Sequence, residues 1–274
     1  MWEPIKVESG FIELKGTRFY VETAGRGAPL VLLHAGLTDS RMWDEQFAEF
    51  AQHYQVVRYD RRGFGRTETR SGGGDGAYSH REDLLELLRA LGIERARLVG
   101  CSQGGKIATD FTLSYAGMTE ALVLVAPALG GFEFTGEEPR QMKELLLADE
   151  AGDLERVNEL ELQIWVDGPG RQPHEVDYRL RERVREMNRI ALNAPQDFGT
   201  EQPLEPPAVK RLKEIRVPTL VIVGDLDTPK TLAASRLLAE EIDGARLVTI
   251  EGAAHLPSME RPAEFNRHVL SFLN

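Results

Sequence analysis

A serine set between glycines, an aspartate and a histidine carry most of the chemistry legible in this sequence. Gly100, Ser102 and Gly104 form a Gly-x-Ser-x-Gly pattern within Leu98-Val99-Gly100-Cys101-Ser102-Gln103-Gly104-Gly105-Lys106-Ile107-Ala108. Apolar residues 97–100 read as a strand, and a helix begins near Gln103. A chain that turns from strand to helix at one residue strains the backbone there. The residues two positions to either side pass so close that only very small side chains fit. Glycine meets that need at both places, and Gly105 gives the helix room to pack on a sheet. The corner leaves the Ser102 hydroxyl accessible, beside the free N–H groups and positive dipole end of the helix. An incidental glycine-rich turn shows the same five letters, so the surroundings must decide.

A serine hydroxyl becomes a useful nucleophile when a base takes its proton, and that base is commonly a histidine held by a carboxylate. In open α/β sheets such groups collect just past the carboxyl ends of the strands. Gly224-Asp225-Leu226-Asp227-Thr228-Pro229 follows a buried strand at 218–224, and Gly252-Ala253-Ala254-His255-Leu256-Pro257 follows a strand at 246–250. His255 is therefore the expected base and Asp227 its acid, in the chain order Ser102, Asp227, His255. Asp225 competes for the acid's role but serves equally as a turn-capping residue, and Asp227 is preferred.

A tetrahedral oxyanion needs two converging backbone donors. Gln103, next to the nucleophile, supplies one. The other is expected at Gly36, with Leu37 as the alternative, in the loop after a strand at 29–33. His34 ends that strand and is expected to order the loop, while Asp60 reads as a structural turn residue. His53, His80, His174 and His268 stand in polar contexts and read as solvated. Cys101, the single cysteine, reads as a small buried filler and excludes an intramolecular disulfide. No His/Cys/Asp/Glu cluster has metal spacing, so no metal is expected. Gly63-x-Gly65 and the glycines around Ser102 make no dinucleotide fingerprint, because no acidic residue ends a second strand at the right interval.

The elements that position these groups alternate. Strands at 29–33, 55–59, 97–100 and 121–126 alternate with helices at 42–54, 78–91 and 103–116, after an opening hairpin around Lys15-Gly16. That order calls for an α/β fold with a mostly parallel sheet and helices on both faces. The alternation stops at Leu129, where helices at 137–148, 154–165 and 175–190 are separated by prolines, and resumes at Pro218. Residues 1–128 and 214–274 therefore read as one core domain and 129–213 as a helical cap over the strand ends. Phe132, Leu146, Trp165 and Met187 are the expected cap contributions to a pocket, with Leu37 and Trp165 as substrate contacts. Residues 71–76 read as a loose glycine-rich connection.

Composition bounds the partners. A formal net charge of −11 argues against a nucleic-acid surface or an anionic membrane. The first residues lack a secretory pattern, and no apolar run reaches the roughly 18 residues that span a bilayer, so a cytoplasmic location is expected. Oligomeric state is open, a homodimer included.

These motifs resemble the α/β-hydrolase superfamily over nearly the whole chain. The resemblance rests on Leu32-Leu33-His34-Ala35-Gly36, Tyr59-Asp60-Arg61-Arg62-Gly63-Phe64-Gly65, the serine corner, Gly224-x-x-Asp227, and Ala254-His255 with Glu260-x-Pro262-x-x-Phe265. Thr38-Asp39-Ser40-Arg41-Met42-Trp43 and Arg58-Tyr59-Asp60 look most like the branch with 3-oxoadipate enol-lactonases and related carboxylesterases. The resemblance implies Ser102 as nucleophile, His255 as base, Asp227 as acid and Gly36 as second oxyanion donor, with no cofactor. His34-Ala35 departs from the His-Gly of many members. Aspartate replaces the serine in dehalogenases and epoxide hydrolases of this fold, so Ser102 argues against both. The expected activity is hydrolysis of a small carboxylic ester or lactone. A carbon–carbon bond hydrolase or cofactor-free perhydrolase is the alternative enzyme, and an inactive binding module the non-enzyme one.

Overall fold

The computed structural model describes residues 6–69, 76–195 and 199–274. In chain order the elements are β1 (Val7–Leu14), β2 (Thr17–Ala24), β3 (Pro29–Leu33), α1 (Asp44–Phe50), β4 (Gln55–Tyr59), β5 (Glu68–Thr69), β6 (Ala77–Tyr78) and α2 (His80–Ala90). Next come β7 (Ala96–Cys101), α3 (Gln103–Ser114), β8 (Thr119–Val125), α4 (Gln141–Glu150), α5 (Leu154–Glu161), α6 (Tyr178–Leu192) and β9 (Thr200–Glu201). The chain closes with β10 (Thr219–Gly224), α7 (Pro229–Glu241), β11 (Arg246–Ile250), α8 (Pro257–Glu260) and α9 (Pro262–Leu273).

The main sheet runs β1-β2-β4-β3-β7-β8-β10-β11, with β5 beside β2. The opening hairpin turns at Lys15 and Gly16 as expected, both at positive φ. From β4 to β11 every pairing is parallel. The chain lays β4 on one side of β3 and β7 on the other, so the order reverses between β3 and β7. Such a switch point opens a crevice at the strand ends, and those two ends carry Gly36 and Ser102.

Alternate residues of the buried strands feed two cores, as a sheet covered on both faces requires. Leu30, Leu32, Val99, Val123 and Ile222 pack with Trp43 and Phe47 near α1 and with Phe265 and Val269 of α9. Val31, Leu33, Leu98, Leu122 and Val221 pack with Leu84 and Leu88 of α2, Phe111 of α3 and Leu238 of α7. A third cluster joins Leu145 of α4 to Val157 and Leu160 of α5.

Three expectations need correction. The helix expected at 42–54 is shorter: Ser40–Trp43 is a 3₁₀ turn, begun where the Asp39 carboxylate accepts the Arg41 N–H, and α1 ends at Phe50. The helix expected at 154–165 is α5 followed by a π turn, Leu162–Asp167. The wider turn keeps Leu160, Leu162 and Ile164 fully buried while Trp165 stays only partly covered. The stretch 129–213 also holds a strand, because β9 pairs in parallel with β6. Residues 71–75 of the expected glycine-rich connection lie outside the described residues.

Candidate active site

Ser102 sits between β7 and α3 with φ 51° and ψ −113°, a conformation that L-residues hold only under constraint. The constraint is visible. The Ser102 N–H donates to the Val125 carbonyl at 2.8 Å, and its own carbonyl accepts from Lys106 and Ala128 N–H groups at 3.0 and 3.1 Å. A Cβ on Gly100 would collide with the Gly104 carbonyl, and one on Gly104 with the Leu33 carbonyl. A Cβ on Gly105 would lie 3.0 Å from that of Pro127. Cys101 is fully buried, and burial pushes its thiol far above the ordinary range.

The loops after β10 and β11 bring Asp227 and His255 together. His255 Nδ1 lies 2.8 and 3.0 Å from the two Asp227 carboxylate oxygens. A carboxylate only accepts, so Nδ1 carries the proton, and in the neutral imidazole the lone pair is then on Nε2. The Thr228 N–H donates to Asp227 Oδ1 at 2.6 Å and fixes the carboxylate. Asp225 is turned elsewhere: its Oδ1 accepts the Gly252 N–H at 2.7 Å and ties the two loops together. Ser102 and His255 line one cavity. Among the described residues no hydrogen bond yet joins Ser102 Oγ to His255, a looseness common before substrate binds.

Gly36 lies against Gln103, whose Cγ would be 3.3 Å from a Cβ at position 36. The loop around Gly36 is braced on all sides. His34 Nε2 accepts the Arg61 N–H at 3.0 Å and its Nδ1–H donates to the Ala35 carbonyl at 2.8 Å. Burial, with Arg61 nearby, holds His34 well below the usual histidine range, so it is neutral. Ala35 N–H and the Thr38 hydroxyl both donate to Met42 Sδ. Asp60 accepts from Ser40 and Arg66 N–H groups at 2.7 and 2.8 Å, the structural duty expected of it.

The cavity holds about 530 Å³ and is walled by Gly36, Leu37, Ser102, Gln103 and His255 on one side and by Phe132, Met142, Glu161 and Trp165 on the other. Leu37 and Trp165 thus stand where substrate contacts were expected. Leu146 does not: it is 60% exposed on α4. Met187 does not either, because it is buried in the apolar cluster with Leu162 and Val184. His80, expected to be solvated, is only partly exposed; desolvation, with Arg61 and Lys106 nearby, pushes it well below the ordinary histidine range.

Two contacts missed by sequence reasoning hold the histidine loop. The His255 N–H donates to the Trp165 carbonyl at 3.2 Å. Glu260 accepts the Ala254 N–H at 2.7 Å and pairs with Arg171 at 2.7 Å, while Arg171 also donates to the Val166 and Asp167 carbonyls. A Glu five residues past the histidine was visible, but its partner across the fold carried no sequence signal. Among the described residues no three His, Cys, Asp or Glu side chains cluster as metal ligands, and no helix is long and apolar enough to cross a membrane.

Known proteins resemble this chain along nearly its full length. It is 28% identical over 267 residues to a putative 2-succinyl-6-hydroxy-2,4-cyclohexadiene-1-carboxylate synthase of Bacillus subtilis, covering 94% of this chain and 95% of that one. It is 25% identical over 284 residues to the carboxylesterase YbfK of the same organism, covering 100% and 90%. The crystal structure of the enol-lactonase from Burkholderia xenovorans LB400 superposes with a TM-score of 0.77 at 26% identity, covering 96% of this chain and 99% of that one. The profile of the Alpha/beta hydrolase family matches residues 30–268. With the switch-point sheet and the strained serine already in view, that match assigns the chain: it belongs to the α/β-hydrolase family.

Proposed function

We propose that this protein is a serine hydrolase that cleaves a small carboxylic ester or lactone through an acyl-enzyme. One observation carries the reading. The strained Ser102 faces the same cavity as a histidine whose Nδ1–H is held by a buried carboxylate at 2.8 Å. Similarity to a carboxylesterase and an enol-lactonase supports the bond type.

In this reading His255 Nε2 takes the Ser102 proton as Oγ bonds to the substrate carbonyl carbon. The carbonyl oxygen becomes an oxyanion facing the Gly36 and Gln103 N–H groups. Asp227 stabilises the imidazolium without itself accepting the proton. As the tetrahedral species collapses, the C–O bond to the alcohol breaks and His255 gives the alcohol its proton. Water then loses a proton to His255, attacks the acyl carbon, and releases the acid while Ser102 recovers its proton. Residues 129–213 act as a cap, because Phe132, Met142, Glu161 and Trp165 wall the cavity without joining the triad.

Hydrolysis of p-nitrophenyl esters of rising chain length, alongside lactones, tests the reading with wild type and Ser102→Ala. The variant should fold normally and lose at least about a thousandfold in kcat. An organophosphonate should add to wild type at Ser102 and leave the variant unmodified. An adduct on another residue would sink the assignment.

A further inference from the structure

Arg61 follows β4 and is 3% exposed. Removing a guanidinium from water is costly unless a carboxylate compensates it. Other buried arginines here are compensated: Arg62 pairs with Asp83 at 2.6 Å and Arg181 with Asp167 at 2.9 Å. Arg61 has no such partner among the described residues. Among the described residues no carboxylate reaches it within salt-bridge distance, and its Nε is buried without a hydrogen bond. Its flat face lies on Phe64, 4.3 Å from the ring centroid. Glu201 attracts it from longer range, and burial lowers the guanidinium to about 10, so it is still a cation at neutral pH.

The side chain's hydrogen bond runs from Nη2 to the Ala35 carbonyl at 3.1 Å. That carbonyl also accepts the His34 Nδ1–H at 2.8 Å. Ala35 C=O and Gly36 N–H are the two ends of one peptide unit. The Thr38 N–H and hydroxyl reach the same oxygen more loosely, each at 3.4 Å. The two shorter donors, one of them charged, fix the plane of that peptide and strengthen its N–H as a donor, since hydrogen bonds in series polarise one another in a low-dielectric interior. The uncompensated charge also stands one peptide away from where an oxyanion forms.

We propose that Arg61 is a positioning residue for the oxyanion hole: from behind the Ala35–Gly36 peptide it orients and polarises the Gly36 N–H, and its charge is balanced when negative charge develops on the substrate oxygen. The inference rests on Gly36 being an oxyanion donor, as read above. The effect is a transition-state one. A neutral ester carbonyl draws little on the extra polarisation, whereas the tetrahedral oxyanion draws on all of it.

The test compares Arg61→Met, Arg61→Lys and wild type with one neutral ester and one trifluoromethyl ketone of matching shape, whose serine adduct carries the oxyanion. For Arg61→Met kcat should fall about tenfold or more, less than loss of a whole donor, with KM held within about twofold. Ketone affinity should fall by the same factor as kcat. Arg61→Lys, which keeps the charge, should recover part of both. Should Arg61→Met fail to fold, Arg61→Lys and Arg61→Gln provide the same comparison. Ketone affinity that stays put, or that falls only in step with KM, overturns the inference and leaves Arg61 a packing residue. Phosphonate labelling of the same variants separates the two levels. An adduct away from Ser102 defeats the underlying function, whereas an adduct at Ser102 with unmoved ketone affinity defeats the role of Arg61 alone.

Discussion

The His255 and Trp165 rings face each other with centroids 6.4 Å apart at 43°, and the histidine's N–H donates to the tryptophan's carbonyl. The proposed base is therefore tied to the residue with the largest apolar side chain of the cavity wall. Trp165→Ala keeps the backbone bond and removes the ring. We expect the preferred acyl or alcohol size to grow. The melting temperature should fall less than the about 3–5 kcal/mol of a fully buried aromatic would imply, because Trp165 is only partly covered. A chain-length profile taken with a melting curve decides it. An unchanged profile with a large drop in melting temperature would make the residue structural.

Asp227→Asn and Asp225→Asn separate the two acids of one loop. Asp227 touches His255, whereas Asp225 caps the Gly252 N–H. Asparagine at 227 presents an amide that favours the wrong tautomer, so kcat should drop about 10³–10⁴-fold. Asparagine at 225 should cost less than about tenfold, since its side-chain oxygen can still accept. Equal losses in kcat would reverse the assignment.

The Arg171–Glu260 pair, with side chains 16% and 6% exposed, anchors the loop that carries His255. Removing one member of a buried pair strands the other's charge, a cost of about 3 kcal/mol. Arg171→Met should lower stability by that order in urea unfolding and also reduce kcat, since Glu260 no longer holds the Ala254 N–H in place. Full activity in a destabilised variant would show that the clamp serves the fold alone.

Two histidines link stability to pH. His34 and His80 are both held well below the ordinary range by burial, with Arg61 nearby. Their folded-state values lie below the unfolded ones, so the unfolded chain binds more protons as the solution is acidified. Their contribution is fully present above the ordinary histidine range and is lost as pH falls toward the folded values. The melting temperature should fall between about pH 8 and pH 5.5, and His80→Gln should flatten that slope. An identical slope in the variant would remove His80 from the linkage.

The serine corner was legible because its steric demands are local. Gly100 and Gly104 are forced by carbonyls a few residues or one strand away, and sequence spacing alone exposes that need. A strand buried on both faces declared itself as an apolar run, so β3 falls where expected, and β4, β11 and α9 keep their expected bounds as well. Leu146 and Met187 show where legibility ended. Periodicity tells which residues share a helix face, but not which face meets the sheet. The π turn that carries Trp165 packs against α5 and α6, and the residue types of 154–165 read equally as one straight helix. Arg61 shows a related limit: its two-arginine motif is plain in the sequence, but only the fold shows Arg62 neutralised and Arg61 not.

The bonds from Trp165 and Arg171 into residues 252–260 bear on how this enzyme can diversify. The stretch between β8 and β10 supplies much of the cavity wall, which invites replacing it whole to change what the enzyme accepts. It is not a free cassette. The same stretch suspends the histidine's backbone, so a transplanted version that misplaces the Trp165 carbonyl or lacks the arginine would shift His255 along with the pocket. New preferences are open instead at single wall positions such as Phe132 and Met142, where side chains border the cavity and hold no part of the histidine loop. Point changes there would alter the wall and leave the bonds to the histidine loop in place.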